Sequence, residues 1–399
     1  MNKPLVGVRI LDLTHMLSGP YAGMILADMG AELIKVEPLA GEGTRKLLAT
    51  DPNNSIDGMG AYFITLNRNK KSVTIDLKSE AGLKVFYDLV SESDVVLNNY
   101  GADVPEKLKI DFDSLKAVNP KIVTCGITGY GRGGPGYKRP AYDQVAQAIG
   151  GGMSITGLDA ENPIRAGIPI GDLGGGMFGV MGLLAALLEA EKSGQGQHVD
   201  VSMQDVQISL LNYMATMYFL SGEDPHPIGN SHFVHVPYNS YKTADGHMVV
   251  AVISDKFWFH LKELIQCPEL DIPEYDGQPG RLAAKEVIDS KLNEIFSAHP
   301  TAYWLKGMSD KRIPCAPVNK FGQALSDEQV LHRNMVVDLK HPNGKSTKGP
   351  GNPIKFSRTN EETFAPAPLL GQDTDQVLAD ILKYSDDEIQ NLRSSEAVG

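Results

Sequence analysis

The alternation of apolar and polar positions predicts a regular succession of strands and helices over the first third of the chain. Short apolar runs typical of buried strands occur at VGVRILDL, AELIKVE, SVTIDL, DVVLNNY and KIVTCGITGYG. Among them, PYAGMILADMG, SEAGLKVFYDLVSES and DSLKAVNP repeat apolar residues at three- and four-residue spacing, which indicates amphipathic helices. This alternation predicts a mostly parallel sheet covered by helices and joined by right-handed crossovers.

A helix is predicted from Met177 to Ala190, directly after the glycine-rich stretch GIPIGDLGGG. Its apolar run, Met177 to Leu188, is too short to span a bilayer. The segment HVDVSMQDVQISLLNYMATMYFL then predicts a strand followed by a long apolar helix. Each helical glycine costs about 1 kcal/mol relative to alanine, so three in succession at 174–176 need an explanation.

The pattern changes after SGEDPHPIGNSHFVHVP, a polar stretch that predicts a linker. YKTADGHMVVAV predicts a hairpin with an Asp-Gly turn, and helices are predicted around 256–265 and 283–298. We therefore expect a smaller α+β domain over residues 225–330. The segment PIKFSRTNEETFAPAPLLGQDTDQVLADIL that follows it predicts an extended and then a helical stretch.

Composition narrows the class of protein. The formal net charge of −12 argues against general nucleic-acid binding, which needs a basic surface. The 3 cysteines are widely spaced and predict neither a metal cluster nor a disulfide framework, as in a reducing compartment. MNKPLVGVRILDL lacks the features of a signal peptide. We expect a cytoplasmic protein that binds neither nucleic acid nor membrane.

Several motifs contain residue types that are common in cofactor, catalytic or metal sites. A G-x-G-x-x-G match at Gly174, Gly176 and Gly179 does not follow a convincing strand, so nicotinamide binding is not predicted. Asp12 and His15 lie near the end of the first strand, where acid–base work and a structural hydrogen bond are both open. The histidines at 226, 232 and 235 lack a completing carboxylate or cysteine at a recognised spacing, so no metal site is expected.

Two further motifs leave alternatives open. LNRNKKS, residues 66–72, places three basic residues and two asparagines before a strand, which suits either phosphate binding or a solvated loop. Asp172 precedes the glycine run, where it suits a helix N-cap. It also suits a nucleophile that attacks an activated acyl group, with the glycines allowing close approach of a ligand or of another backbone.

The chain resembles the class III coenzyme A transferases along nearly its whole length. The similar stretches include LDLTHMLSGPYAGMILADMGAELIKVEP, DVVLNNYGADVPEKL, ITGYGRGGPGYKRPAYDQVAQAIGG, IPIGDLGGGMFGVMGLLAALLEAEKSGQGQHVDVSMQD and APAPLLGQDTDQVL. The resemblance implies an α/β architecture in which a Rossmann-like large domain spans 1–224 and 331–399 around the small domain. It also implies an interlocked homodimer.

The resemblance further implies a site. Asp172 is the expected nucleophile, with Asp143 orienting or tuning it. Coenzyme A would enter as a substrate, with no permanently bound cofactor. Its expected contacts are Met16, Ser18, Leu66, Asn69, Lys70, Asn99, Tyr100, Lys107, Arg139 and Tyr142.

The implied reaction moves CoA from an acyl-CoA donor to a small carboxylic acid through an aspartyl anhydride and an aspartyl-CoA thioester. The formyl-CoA:oxalate members carry glutamine where this chain has Leu17, and a glycine run where it has GNSHFVHVPYNSY. Oxalate–formate exchange is therefore not expected. The apolar Leu17 suits a larger or less polar acyl group, such as a methyl-branched or C4–C5 dicarboxylic acid.

Two other functions are consistent with the resemblance. The 2-methylacyl-CoA racemases place a histidine base where this chain has Tyr142, and a phenol, with an ordinary pKa of about 10, is poorly suited to exchange an α-proton near neutrality. A CoA-binding protein without catalysis is the third alternative. It predicts that replacing Asp172 with asparagine leaves CoA binding unchanged.

Overall fold

The chain folds into two compact units, seen in a computed structural model that describes residues 3–399. The larger unit runs to Met153 and includes Arg165–Glu223 and Gln329–Gly399, and the smaller unit comprises Ser154–Ile164 and Asp224–Glu328. The segment Ser154–Ile164 thus lies in the smaller unit, although the sequence placed it in the large domain. It is tied there by a backbone hydrogen bond from the Gly229 N–H to the Gly157 carbonyl, 3.0 Å long.

The secondary-structure elements alternate along the first part of the chain as predicted. The strands are β1 (Arg9–Asp12), β2 (Glu32–Glu37), β3 (Ser55–Ile56), β4 (Met59–Gly60), β5 (Lys70–Thr74), β6 (Val95–Asn98), β7 (Val123–Thr128), β8 (His198–Ser202), β9 (Tyr238–Lys242), β10 (His247–Ala251), β11 (Cys315–Pro317), β12 (Val336–Lys340) and β13 (Ser346–Pro350). The helices are α1 (Ser18–Asp28), α2 (Ala61–Leu66), α3 (Glu80–Ser91), α4 (Val104–Lys107), α5 (Phe112–Val118), α6 (Asp143–Ile149), α7 (Ile170–Ser193), α8 (Met203–Leu211), α9 (Tyr213–Ser221), α10 (Asp255–Ile265), α11 (Gln278–Ala283), α12 (Lys285–Phe296), α13 (Thr301–Asp310), α14 (Phe321–Leu325), α15 (Glu328–His332), α16 (Thr374–Asp380) and α17 (Asp386–Ser394).

The larger unit is built on a six-stranded sheet of order β5-β2-β1-β6-β7-β8. Every neighbouring pair in it is parallel, and in register Ile10 of β1 lies between Leu33 and Val95. The predicted α/β class with a parallel sheet is confirmed. Because parallel strands need crossover connections, helices cover both faces of the sheet.

Each face of the sheet carries its own apolar core. On one face, α1 and α7 pack together over residues such as Leu26, Leu97 and Leu183. On the other face, α3 and α5 pack with the C-terminal helices α16 and α17, around Phe86 and Leu378. The C-terminal segment therefore belongs to the core of the larger unit.

Helix α7 is longer than the sequence predicted. It contains 24 residues and begins at Ile170, so the glycine run lies inside it. Of the helices in residues 3–399, α7 is long and apolar enough to cross a membrane by length and composition, because it extends well beyond the Met177–Leu188 run. One side of α7 is nevertheless packed into the first core through Val180, Leu183 and Ala186.

The apolar segment after β8 is two helices, where the sequence predicted one. They are α8 and α9, and the break falls at Asn212, whose backbone has φ 48° and ψ −123°. The Asn212 side-chain oxygen accepts a hydrogen bond from the Tyr213 N–H at 2.7 Å and so caps the second helix.

The smaller unit contains the predicted hairpin. β9 and β10 pair antiparallel, and β11 extends this sheet beyond β10. Its core is built from large side chains, including Trp258, Phe296 and Trp304.

Candidate active site

A cavity of about 190 Å³ lies at the carboxyl ends of the central strands of the larger unit. β1 and β6 are neighbours, and the chain runs outward from them in opposite directions, to β5 on one side and β8 on the other. In open α/β sheets such a reversal leaves a crevice at the carboxyl edge, where ligands bind. His15, Met16 and Ser18 line the cavity after β1, and Asn99 and Tyr100 line it after β6.

Asp172 lies on the wall of this cavity, in the first turn of α7. Burial raises the pKa of its carboxyl to about 6, and the negative charge of Asp143 adds to the effect. Among residues 3–399, no side chain donates a hydrogen bond to this carboxylate or pairs with it as a cation. The Asp172 carboxylate is therefore unpaired in the described structure and, with a pKa of about 6, mostly ionised at pH 7.

The helix cap is supplied by Asp143, and Asp172 is not the N-cap. Asp143 begins α6, and its Oδ1 accepts hydrogen bonds from the N–H groups of Gly171, at 2.8 Å, and Asp172, at 3.3 Å. Pro169, which occupies the N-cap position, contributes no side-chain bond. Asp143 thus satisfies two N–H groups that a helix start leaves unpaired, and it fixes the turn that carries Asp172.

The glycines after Asp172 are packed against neighbouring elements of the protein, so of the two alternatives the structure supports close approach of another part of the chain and not of a ligand. A Cβ on Gly174 would lie 2.9 Å from Val206 Cγ1 of α8. A Cβ on Gly176 would lie 2.7 Å from the backbone oxygen of Ser18 in α1. Glycine is required at these positions despite its low helix propensity, because α7 lies too close to its neighbours for a side chain to fit.

The loops after β1 and β6 are joined to each other. The Asn99 side-chain oxygen accepts a hydrogen bond from the His15 N–H at 2.9 Å, and its amide nitrogen donates to the His15 carbonyl at 2.7 Å. Met16 follows with φ 63°, a left-handed conformation that is uncommon outside glycine. Burial lowers the pKa of the His15 imidazole, so this ring is neutral at neutral pH.

The structure brings together seven of the residues expected at the site. They line the one cavity and are Met16, Ser18, Asn99, Tyr100, Arg139, Tyr142 and Asp172. Asp143 touches its wall through the hydrogen bonds to the start of α7.

The other expected coenzyme A contacts lie elsewhere. Leu66 lines a second, apolar cavity of about 620 Å³, together with Leu17 and Leu173. Lys107 is exposed at the end of α4 and does not line the cavity of Asp172.

Asn69 and Lys70 are occupied by structural contacts. The Asn69 amide donates to Asp28 at 2.7 Å and to the Thr363 carbonyl at 2.8 Å. The ammonium of Lys70 is buried and pairs with Asp12 at 2.8 Å. Neither lines the cavity of Asp172, because residues 66–70 lead into β5 at the far edge of the sheet.

Some lining residues were not expected from the sequence. Thr128 ends β7 and Gly129 follows it, and Tyr137 and Met203 also line the cavity. The rule that ligands bind beyond the carboxyl ends of parallel strands would have indicated Thr128 and Gly129 at the end of KIVTCGITGYG. His15 was considered for acid–base work, but its place beside Tyr100, at 5.5 Å between ring centroids, needed the fold.

Within residues 3–399, no group of three or more histidine, cysteine, aspartate or glutamate side chains is placed to hold a metal ion. The titratable side chains that line the cavity are a carboxylate, a neutral imidazole, three phenols and an arginine.

Comparison with known proteins agrees with the resemblance. The CoA-transferase family III matches residues 5–374. The succinyl-CoA:glutarate CoA-transferase of Homo sapiens is 34% identical over 401 residues, which cover 99% of this chain and 90% of that protein. The succinate–glutarate CoA-transferase of Agrobacterium fabrum is 36% identical over 392 residues, which cover 95% of this chain and 96% of that protein.

A crystal structure of a CaiB/BaiF family protein from Brucella suis is 31% identical in sequence. It superposes with a TM-score of 0.86 over 96% of this chain and 100% of that chain. The chain therefore belongs to the CoA-transferase family III and is a CoA-transferase.

Proposed function

We propose that this enzyme transfers coenzyme A from an acyl-CoA donor to a small carboxylic acid, with Asp172 as the nucleophile. The observation that carries the proposal is the unpaired Asp172 carboxylate on the wall of the cavity at the carboxyl edge of the sheet. A carboxylate without a cation or hydrogen-bond donor keeps its lone pairs available for attack on a thioester carbonyl. Its pKa of about 6 leaves it ionised at pH 7 and above.

The reaction is a series of acyl transfers that is balanced in atoms and neutral in redox state. An Asp172 oxygen attacks the donor thioester, the carbon–sulfur bond breaks, and CoA leaves as a thiolate. The thiolate then attacks the Asp172 carbonyl carbon of the anhydride, which releases the donor acid and leaves an aspartyl-CoA thioester. The acceptor carboxylate attacks that thioester, and the thiolate released in this step finally attacks the acceptor carbonyl and frees Asp172.

For substrates, we infer a pair of C4–C5 dicarboxylic acids, with succinyl-CoA as the first donor and glutarate as the first acceptor to test. The oxalate-specific members carry glutamine where this chain has Leu17, but Leu17 lines the apolar cavity of Leu66 and not that of Asp172, so the choice of acids rests on the similar proteins. Two similar proteins are named for succinyl-CoA or succinate with glutarate. Arg139 on the cavity wall offers a cation for a distal carboxylate or a phosphate.

Intact-protein mass spectrometry tests the nucleophile directly. Wild-type enzyme mixed with succinyl-CoA is expected to gain the mass of a covalent CoA or succinyl adduct, and Asp172→Asn, which keeps the side-chain shape, is expected to gain none. An adduct in the variant, or none in a wild type that binds CoA, contradicts the proposal. In the second case, solvent deuterium incorporated into a 2-methylacyl-CoA would indicate a racemase, and its absence a CoA-binding protein.

The proposal includes a cytoplasmic homodimer. Exposed apolar side chains concentrate on α7, α8 and α9, and Phe219 and Leu220 are 82% and 83% exposed. Apolar surface of this kind marks an interaction site, and the resemblance supplies the partner, a second copy of the chain. Sedimentation is expected to give twice the monomer mass for the wild type and a smaller mass for Phe219→Glu with Leu220→Glu. A monomeric wild type contradicts the dimer.

A further inference from the structure

An ion pair that the proposed reaction does not use is buried beneath the loop after β1. The Lys70 ammonium lies 2.8 Å from Asp12 Oδ2, and both side chains are 0% exposed. Lys70 also donates to the Pro20 carbonyl in α1, at 3.2 Å. Gly23 leaves room for the pair, since a Cβ there would lie 3.0 Å from Asp12 Oδ2 and 3.1 Å from Lys70 Nζ. A buried pair adds little net stability, so its placement points to another role.

The second oxygen of the Asp12 carboxylate holds the start of the loop. Asp12 Oδ1 accepts hydrogen bonds from the Thr14 N–H, at 2.9 Å, and from the Thr14 hydroxyl. The buried Lys35 ammonium donates to the Thr14 carbonyl at 2.8 Å. On its remaining side, Thr14 packs against Gly19, where a Cβ would lie 2.3 Å from Thr14 Cγ2. Each polar group of Thr14 is therefore fixed by a buried charge.

The residues that follow Thr14 form the cavity wall. His15 is joined to Asn99, and Met16 adopts its left-handed conformation, before Ser18 begins α1. A non-glycine residue keeps such a conformation only where the surrounding structure imposes it. The charges anchored to Thr14 and the bonds to Asn99 impose it here.

We propose that the Asp12–Lys70 pair, acting through Thr14, is the element that positions His15 and Met16 against the site of the proposed transfer reaction. Lys70 is then a positioning residue, and its ammonium does not contact coenzyme A. The role rests on the proposed function, because it concerns the placement of the thioester relative to Asp172.

Two substitutions at Thr14 separate the hydrogen bond from the packing. Thr14→Val keeps the branched shape and removes the hydroxyl that bonds Asp12, whereas Thr14→Ser keeps the hydroxyl. Because a displacement of about 1 Å costs about 10²-fold in rate, Thr14→Val is expected to lower kcat at least about tenfold, with KM for acyl-CoA changed less than about threefold. Thr14→Ser is expected to stay within about threefold of the wild type. A Val variant with wild-type kcat, or one that changes only KM, overturns the proposal.

Hydrogen–deuterium exchange tests the positioning without relying on catalysis. The double variant Asp12→Leu with Lys70→Met removes both charges and the oxygen that accepts from Thr14, and exchange of the amides at residues 14–16 is expected to rise at least about tenfold. The matched control is Asp28→Leu with Arg68→Met, which makes the same change at another buried pair, 2.7 Å apart, outside the loop. Its exchange at residues 14–16 is expected to match the wild type.

The positioning role is overturned if the amides at residues 14–16 exchange equally fast in the two double variants. It is also overturned if they exchange at the wild-type rate in the variant that lacks the Asp12–Lys70 pair. If the first double variant does not fold, the exchange of Thr14→Val decides the question in the same way. A wild type that forms no adduct and transfers no CoA refutes the proposed function, and the exchange result still stands by itself.

Discussion

The negative charge of Asp143 is predicted to set part of the pH dependence of the reaction. The pKa of Asp172 is about 6, against an ordinary value of 3.8, a difference of about two units that corresponds to about 3 kcal/mol in the cost of ionisation. Burial is the larger cause and Asp143 the smaller, so Asp143→Asn is expected to lower the pKa of Asp172 by less than about one unit. Since Asp172 is partly exposed, water screening reduces the effect further.

The assay is the pH profile of kcat/KM, which reports ionisations in the free enzyme. In the wild type, activity is expected to fall below about pH 6 as Asp172 takes up a proton. In Asp143→Asn the fall is expected at lower pH, so that the rate at pH 5, relative to the plateau at pH 8, rises about two- to fivefold. The asparagine oxygen still accepts the bond from Gly171, so the turn is retained.

Two results would refute this reasoning. A profile that stays in place in a folded Asp143→Asn variant means that the charge does not act on Asp172. A profile that moves to higher pH means that Asp143 favours the ionised form. Asp143→Ala is the control for the cap, since it removes charge and acceptor together and is expected to lower the free energy of unfolding by about 1 kcal/mol as well.

Three further predictions follow from the same geometry. The folded state binds the Asp172 proton more tightly than the unfolded chain, so the free energy of unfolding decreases as pH rises from about 4 to about 6. Asp172→Asn is therefore expected to be more stable than the wild type at pH 7.5, by up to about 3 kcal/mol before screening. Denaturant titrations below pH 4 are expected to give equal stabilities. Gly176→Ala is expected to destabilise the protein by about 2 kcal/mol or more despite the better helix propensity of alanine, because its Cβ meets the Ser18 backbone. Gly43→Ala has open space around it, and its stability is expected to stay within about 0.5 kcal/mol of the wild type. Equal melting temperatures of the two variants would contradict this. Arg139→Ala is expected to raise KM for acyl-CoA about three- to tenfold with kcat little changed, and an effect that persists undiminished at 0.5 M salt would contradict a charge contact.

The succession of strands and helices in the larger unit was predictable because each element is set by local periodicity. The period-two and period-3.6 patterns of the first third of the chain predicted β1, β2, β5, β6 and β7 and the helices α1, α3 and α5, but not the short helices α2 and α4. Element ends were less predictable. Helix α7 begins at Ile170, well before Met177. Its glycines allow close packing against neighbouring elements, and this packing offsets the low helix propensity of glycine, which is all that the local sequence reports.

The candidate site was predictable in part, and the misplaced residues share a physical cause. Asp172, Met16, Ser18, Asn99 and Tyr100 follow strand ends or begin helices, so the switch point of the sheet gathers them. The basic stretch at residues 66–72 suggested phosphate binding by its charge alone. Its charges instead pair with acidic side chains of β1, β2 and α1, a partnership that depends on strand order.

The sequence by itself determined the parallel α/β class, the family, the position of an aspartate next to a glycine run, and the residues of the two loops around it. Tertiary structure alone decided which carboxylate is unpaired and which ones are held in hydrogen bonds or ion pairs. Asp172 faces the cavity unpaired, Asp143 caps α7, and Asp12 is neutralised by Lys70. The physical reason is that the state of a carboxylate depends on burial and on charges distant in sequence, and these are fixed only when the strands take their order in the sheet.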